Sequence, residues 1–311
     1  MKPFRKNLAI AIDGGGIRGV MVARALAMVE EKLGQPLFQL ARLVAGTSTG
    51  SILSVGLASG LTSAKMEELY VALGETVFRK SWRTFFWPLT RFRYLHEPLA
   101  DALRKHIGDR KLGDFWTAKP RTDVVITAFD LLKNKTCFIK PYKDEYKDWP
   151  VIKAVLASSS VPTYFPVVEG QYVDGGVGSY ANPCYLAAYE ASVILKWKPE
   201  ETTLLSLGTG RDPQAVKPGQ PERFRAWNWL TPILDAFLAS ASDQQVRLVD
   251  SFFTGLDFRR FQVDFTKSVA MDDPASIPAL IEYGNQMGTM ILNDQIDGAA
   301  KVKPSRPRRG R

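Results

Sequence analysis

A short apolar run, Leu40 to Ala45, leads directly into Gly46-Thr47-Ser48-Thr49-Gly50, and a small-residue helical run follows to Ser59. A strand, a sharp turn and a helix with no spare residues between them leave the backbone few options. Ser48 at the tip must adopt a strained conformation, and the flanking glycines remove side chains that would strike the strand or the helix. Such a turn lifts the serine hydroxyl above the sheet and aims the following amide at a developing oxyanion. Two glycines around a serine arise often by chance, so it is the strand before and the helix after that favour a catalytic elbow over an ordinary buried turn.

A second strand–helix pair precedes the first. Lys6 to Ile12 reads as a buried strand, Asp13-Gly14-Gly15-Gly16-Ile17-Arg18-Gly19 as a loop, and Val20 to Leu33 as a helix ended by Gly34 and Pro36. Successive pairs of this kind predict an α/β fold with a central, mostly parallel sheet sandwiched between helices. Downstream, helices are expected over 62–73, 97–107, 150–158, 183–191 and 277–291, with one or two more between Trp229 and Leu248. Strands are expected over 122–129, 136–140, 171–173, 202–207 and 258–265, and residues 211–224 read as a mobile loop. No repeat or linker divides the 311 residues. Residues 1–300 are therefore expected to form one catalytic domain, and 301–311 a basic, disordered tail.

The net charge of +9 is concentrated in Lys2–Lys6, Arg79–Arg93 and Lys301–Arg311, and the rest of the chain is net acidic. Those stretches suit anionic head groups or nucleotides, or serve only solubility. No DNA-binding motif is present. The apolar run from Leu8 stops at Asp13, too short for a secretory core. Between Arg42 and Lys65 lie 22 uncharged residues, but 12 are Gly, Ser or Thr and the elbow lies inside, which predicts a buried helix rather than a membrane span. Phe78 to Tyr94 interleaves cations with aromatics, a composition suited to an interfacial lipid contact or to a partly buried lid. Cys137 and Cys184 show no metal or redox spacing, which suits a reducing compartment. The expected location is cytoplasmic, peripheral to the inner membrane face.

The glycine-rich loop fits two chemistries. Gly14-Gly15-Gly16-Ile17-Arg18-Gly19 matches the dinucleotide fingerprint after a first strand. However, the strand that should carry the ribose-binding acid runs into the Ser48 turn, and Val20 stands where a phosphate-loop lysine would be needed. The same loop at a helix N-terminus can supply oxyanion donors. A serine nucleophile also needs a base. Only His96 and His106 exist, and both precede Asp174, so the order serine–acid–histidine of the α/β hydrolases is impossible. An aspartate can act directly if held near the hydroxyl. Asp174, at a strand end before Gly175 and Gly176, is the best candidate and Asp13 the runner-up. Asp114 and Asp130 lack comparable context.

Four ordered blocks, Asp13–Gly19, Gly46–Gly50, Ala157-Ser158 with Pro162, and Asp174-Gly175-Gly176, resemble those of patatin-like phospholipases over residues 6 to about 210. The resemblance implies a patatin-like three-layer architecture and lipid acyl hydrolysis without a cofactor. It implies Ser48 as nucleophile, Asp174 as dyad base, and Gly14, Gly15 and Gly16 as the oxyanion hole with Arg18 beside it. Gly46, Gly50 and Gly175 would support the turns, and the Pro162 block would wall the site. Ser51 departs from a frequent glycine, a change expected to be harmless. Some bacterial members are switched on by cyclic oligonucleotides in antiphage defence, so such an activator is an alternative partner besides a phospholipid membrane surface. A homo-oligomer is compatible with either reading. A catalytically silent lipid- or nucleotide-binding module is the remaining alternative.

Overall fold

The structure, a computed structural model, describes residues 1–79, 81, 84, 86–213, 216 and 219–298. The basic tail over 301–311 lies outside the described residues, as do parts of the 78–94 and 211–224 stretches. The chain runs β1 (Asn7–Ile12), α1 (Gly19–Leu33), β2 (Ala41–Thr47), α2 (Thr49–Ala58), α3 (Ser63–Thr76) and α4 (Glu97–Ile107). It continues through β3 (Asp123–Asp130), β4 (Lys135–Ile139), α5 (Val151–Ser159), β5 (Tyr172–Asp174) and α6 (Cys184–Tyr189). It closes with β6 (Thr202–Leu207), α7 (Leu230–Phe252), β7 (Asp257–Phe261) and α8 (Ile277–Leu292).

The sheet order is β4-β3-β2-β1-β6-β7, with β5 joined to β3. The pairs among β3, β2, β1, β6 and β7 are parallel, whereas β4 and β5 run antiparallel to β3. The central parallel strands β1, β2 and β6 are buried on both faces, which is why they read as largely apolar runs, whereas the edge strand β7 carries Arg259 and Arg260. Leu8, Ile10 and Ile12 face the larger core, shared with α1, α2, α3, α5 and α8. Ala9, Ala11, Leu43 and Ala45 face a smaller core shared with α6 and the C-terminal half of α7.

Register along β3 positions the site. β2 pairs with β3 as far as Thr47 opposite Thr127, and there the chain leaves the sheet at Ser48. The other edge of β3 is taken by β4. β5 therefore occupies the edge that β2 has vacated, entering with Asp174 opposite Ala128, one register position beyond Thr127. Two strands from distant parts of the chain meet end to end on one edge of β3.

Several boundaries differ from expectation, α3 running to Thr76 rather than Leu73. The late strand ends at Phe261 rather than Phe265, because β6 ends at Leu207 and only the Arg211–Asp264 bridge continues the pairing. The region from Trp229 to Leu248 forms a single helix, α7, that runs on to Phe252. The helix after Pro183 gives way at Glu190 to a wider π turn, where Glu190 is buried against Lys140 and accepts a hydrogen bond from the Tyr142 hydroxyl at 2.6 Å. No helix of the described residues is long and apolar enough to cross a membrane.

Candidate active site

The turn from β2 to α2 places Ser48 at φ 54° and ψ −122°, a conformation open mainly to glycine. Holding a serine there costs about 1–3 kcal/mol, and the surroundings fix it. The Ser48 amide donates to Ser158 Oγ at 2.8 Å. The Ser48 carbonyl accepts from the Ser51 amide at 2.9 Å and from the Ser51 hydroxyl at 2.6 Å. The unusual Ser51 is thus a second tie on the turn. A Cβ on Gly46 would fall on the Gly50 carbonyl, and one on Gly50 would fall on the Ile12 carbonyl, so α2 starts directly against the ends of β1 and β2.

Asp174 reaches the same place along β5. Its amide donates to the Ser160 carbonyl at 3.1 Å, and its Oδ1 accepts from the Gly176 amide at 2.7 Å. Gly175 between them backs directly onto Thr127. Oδ2 is buried without a well-formed hydrogen bond among the described residues. Burial pushes the carboxyl up to about 6, against the lowering pull of the Gly176 amide and the Ser48 hydroxyl. Both residues are nearly enclosed, with Ser48 5% and Asp174 6% exposed.

The glycine loop follows β1 and lies beside the serine. A methyl on Gly14 would come within 3.2 Å of the Ser48 Cβ. The three glycines are not equivalent donors, however. The Gly14 amide is given to the Ala181 carbonyl at 2.9 Å, whereas among the described residues the Gly15 and Gly16 amides meet no backbone carbonyl. Gly16 has φ 59°, and a Cβ there would strike the Met271 carbonyl. That carbonyl accepts from the Ile17 amide at 2.8 Å and so anchors the loop. Arg18 is tied to Asp212 at 2.6 Å and to the Val269 carbonyl, with its guanidinium over the Phe265 ring, and this fastens the loop to the 211–212 and 265–269 segments.

A narrow cavity with room for about 40 Å³ joins Ser48 and Gly16 to a largely apolar wall that includes Ile52, Leu73, Phe78, Leu99, Tyr164 and Phe165. Among the described residues His96 is hydrogen-bonded to neither Ser48 nor Asp174: its Nε2 pairs with Ser160 Oγ at 2.9 Å, its ring stacks on Phe165, and burial lowers its pKa. Asp13 faces away from the serine in a two-point pair with Arg260, at 2.8 and 2.5 Å. Sequence reasoning missed this arginine, because nothing local marks a charged residue on a buried strand as the partner of one some 250 positions away. The specific tie from Ser158 is likewise not marked in the sequence, although the block containing that serine reads as part of the site wall.

A family model described as "Patatin-like phospholipase" matches residues 10–188. An "Intracellular phospholipase A2" of Caenorhabditis elegans is 31% identical over 236 residues, a match covering 69% of this chain and 20% of that protein, so the chain spans about a fifth of that relative. A "cGAMP-activated phospholipase" of Pseudomonas aeruginosa is 26% identical over 307 residues, covering 92% of this chain and 89% of that protein. Among solved structures, VipD from Legionella pneumophila aligns over 94% of this chain and 67% of its own, at a TM-score of 0.50 and 13% identity, a likeness of fold.

Proposed function

The chain belongs to the patatin-like phospholipase family, and we propose that it hydrolyses the acyl esters of membrane phospholipids through Ser48 and Asp174. The observation that carries this reading is a strained serine beside a buried carboxylate of raised pKa, reached by two strands sharing one edge of β3. Asp174 takes the proton from Ser48 Oγ as that oxygen attacks the ester carbonyl carbon. The oxyanion accepts from the Gly15 and Gly16 amides, with Gly14 shaping the loop and Arg18 holding it. Collapse breaks the acyl–oxygen bond, and the departing alcohol takes the proton from Asp174. Water then gives Asp174 a proton while its oxygen attacks the acyl-serine; collapse frees the fatty acid and the serine alkoxide takes the proton back.

The apolar wall is the natural place for the acyl chain. The cavity is narrow, and Tyr164, Phe165 and Phe78 in its wall set how much of a chain it admits. Residues 1–300 act as one catalytic domain in this reading. The test is hydrolysis of phospholipid vesicles and labelling by a serine-directed fluorophosphonate. The native chain should do both and a folded Ser48→Ala variant neither. Wild-type activity in that variant would overturn the assignment, and a native chain that neither hydrolyses nor labels would favour a silent binding module.

A second reading places the same chemistry under the control of a cyclic oligonucleotide in antiphage defence. It is favoured by the likeness to the Pseudomonas aeruginosa relative over nearly the whole of both chains. Vesicle hydrolysis and oligomer size measured with and without cGAMP separate the two. Unchanged rate and size would leave the unregulated enzyme.

A further inference from the structure

The two halves of α7 have different surroundings. Its C-terminal half is docked, with Val246 and Val249 buried, Ser242 accepting from Asn182 at 3.1 Å, and Gln245 reaching the Ser179 carbonyl at 3.5 Å. In its N-terminal half the described side chains are mostly exposed. Ile233 is 59% and Phe237 45% exposed, and Trp229, just before the helix, is 41% exposed. Positions 229, 233 and 237 recur every four residues and so share one face. Two turns of apolar stripe left in water call for a partner.

The charge around the stripe indicates which one. Exposed Arg223 and Arg225 lead into it, and Asp235 is the only acid between Glu222 and Asp243. An aromatic boundary between cations and an apolar helical face is the pattern of an interfacial segment. A two-fold contact with a second copy would gather the same arginines together, whereas an anionic bilayer would neutralise them. Leu89 in the 78–94 stretch, 82% exposed, adds apolar surface on a segment that also supplies Phe78 to the cavity wall.

We propose that the N-terminal half of α7, with Trp229, Ile233 and Phe237 inserted and Arg223 and Arg225 at the head groups, docks this protein on an anionic phospholipid surface. The inference rests on the phospholipase reading for its purpose, and its geometry adds to that reading. Leu238, on the same half-helix, lies 3.8 Å from where a Cβ of Gly176 would stand, and the Gly176 amide holds the Asp174 carboxylate. The helix that carries the docking face thus packs beside the Gly176 turn, whose amide holds the proposed base.

Binding is measured with the Ser48→Ala chain, so that the vesicles stay intact, by co-sedimentation with phosphatidylglycerol–phosphatidylcholine vesicles and with phosphatidylcholine alone. The Ser48→Ala chain should prefer the anionic vesicles. Adding Ile233→Ser and Phe237→Ser should lower the partition coefficient by more than about tenfold, with melting temperature unchanged. Arg223→Ser with Arg225→Ser should abolish the anionic preference and its salt sensitivity. In the Ser48→Ala chain itself, brominated lipids should quench tryptophan fluorescence. Undiminished binding of the Ile233/Phe237 variant, or a dimer that this variant dissociates with vesicle binding unchanged, would overturn the proposal. Failure of the phospholipase reading appears separately, as native protein that binds these vesicles without hydrolysing them.

Discussion

Asp174 is more costly to ionise than a carboxylate in water, and that cost suits the role of base proposed for it. Burial raises its pKa to about 6. In the proposed mechanism the ionised form accepts the serine proton, so hydrolysis of a neutral ester should rise with pH through about 6 and level off above it, as a pH–rate profile will show. The same shift acts on stability with a defined sign. The folded-state pKa lies above the unfolded one, so between about pH 4 and pH 6 the folded chain binds more protons and loses stability as pH rises. Asp174→Asn cannot ionise and should be inactive yet more stable, by about 3 kcal/mol above pH 6. That advantage should vanish below pH 4, and urea titrations at pH 4 and pH 7.5 measure it. At this scale much was legible. Gly-x-Ser-x-Gly marks the strained serine, and the shortage of histidines directs attention to an aspartate. The pKa was not legible, because desolvation depends on neighbours that the chain assembles later.

The end of α5 serves both members of the proposed dyad. Ser158 accepts from the Ser48 amide, and two residues on the Ser160 carbonyl accepts from the Asp174 amide. Replacing Ser158 with alanine leaves a buried amide unsatisfied and should destabilise the fold by about 1–3 kcal/mol. It should lower kcat more than it raises KM, since it loosens the proposed nucleophile rather than the proposed acyl wall. Steady-state kinetics beside a urea melt checks both. The elements themselves were readable because their signals are local. The helix expected over 97–107 and the strand over 202–207 form at those limits. The three-residue β5 was readable as a strand, but not as the piece that completes an edge. No sequence cue singled out the Met271 carbonyl, which anchors the glycine loop from far along the chain.

Across the whole molecule, Arg260 on β7 reaches over β6, bonding Ser206 Oγ at 2.9 Å, to hold Asp13 at the end of β1. The pair is buried, so Arg260→Met would strand a carboxylate and should cost about 3–5 kcal/mol. The double replacement Asp13→Leu with Arg260→Met should recover much of that loss, which a double-mutant cycle in urea measures. By itself the sequence determined the alternation of strands and helices, the parallel sheet, the elbow and the glycine loop, because each rests on periodicity or backbone freedom within a few residues. Only the tertiary structure decided that β5 takes up the edge of β3 where β2 leaves it, which brings Asp174 to Ser48. Only it decided that Gly14 gives its amide to Ala181, that Asp13 is bound by Arg260, and that Ile233 and Phe237 on α7 stand exposed. Those outcomes depend on sheet register and on contacts between residues far apart in the chain, and no local pattern encodes them.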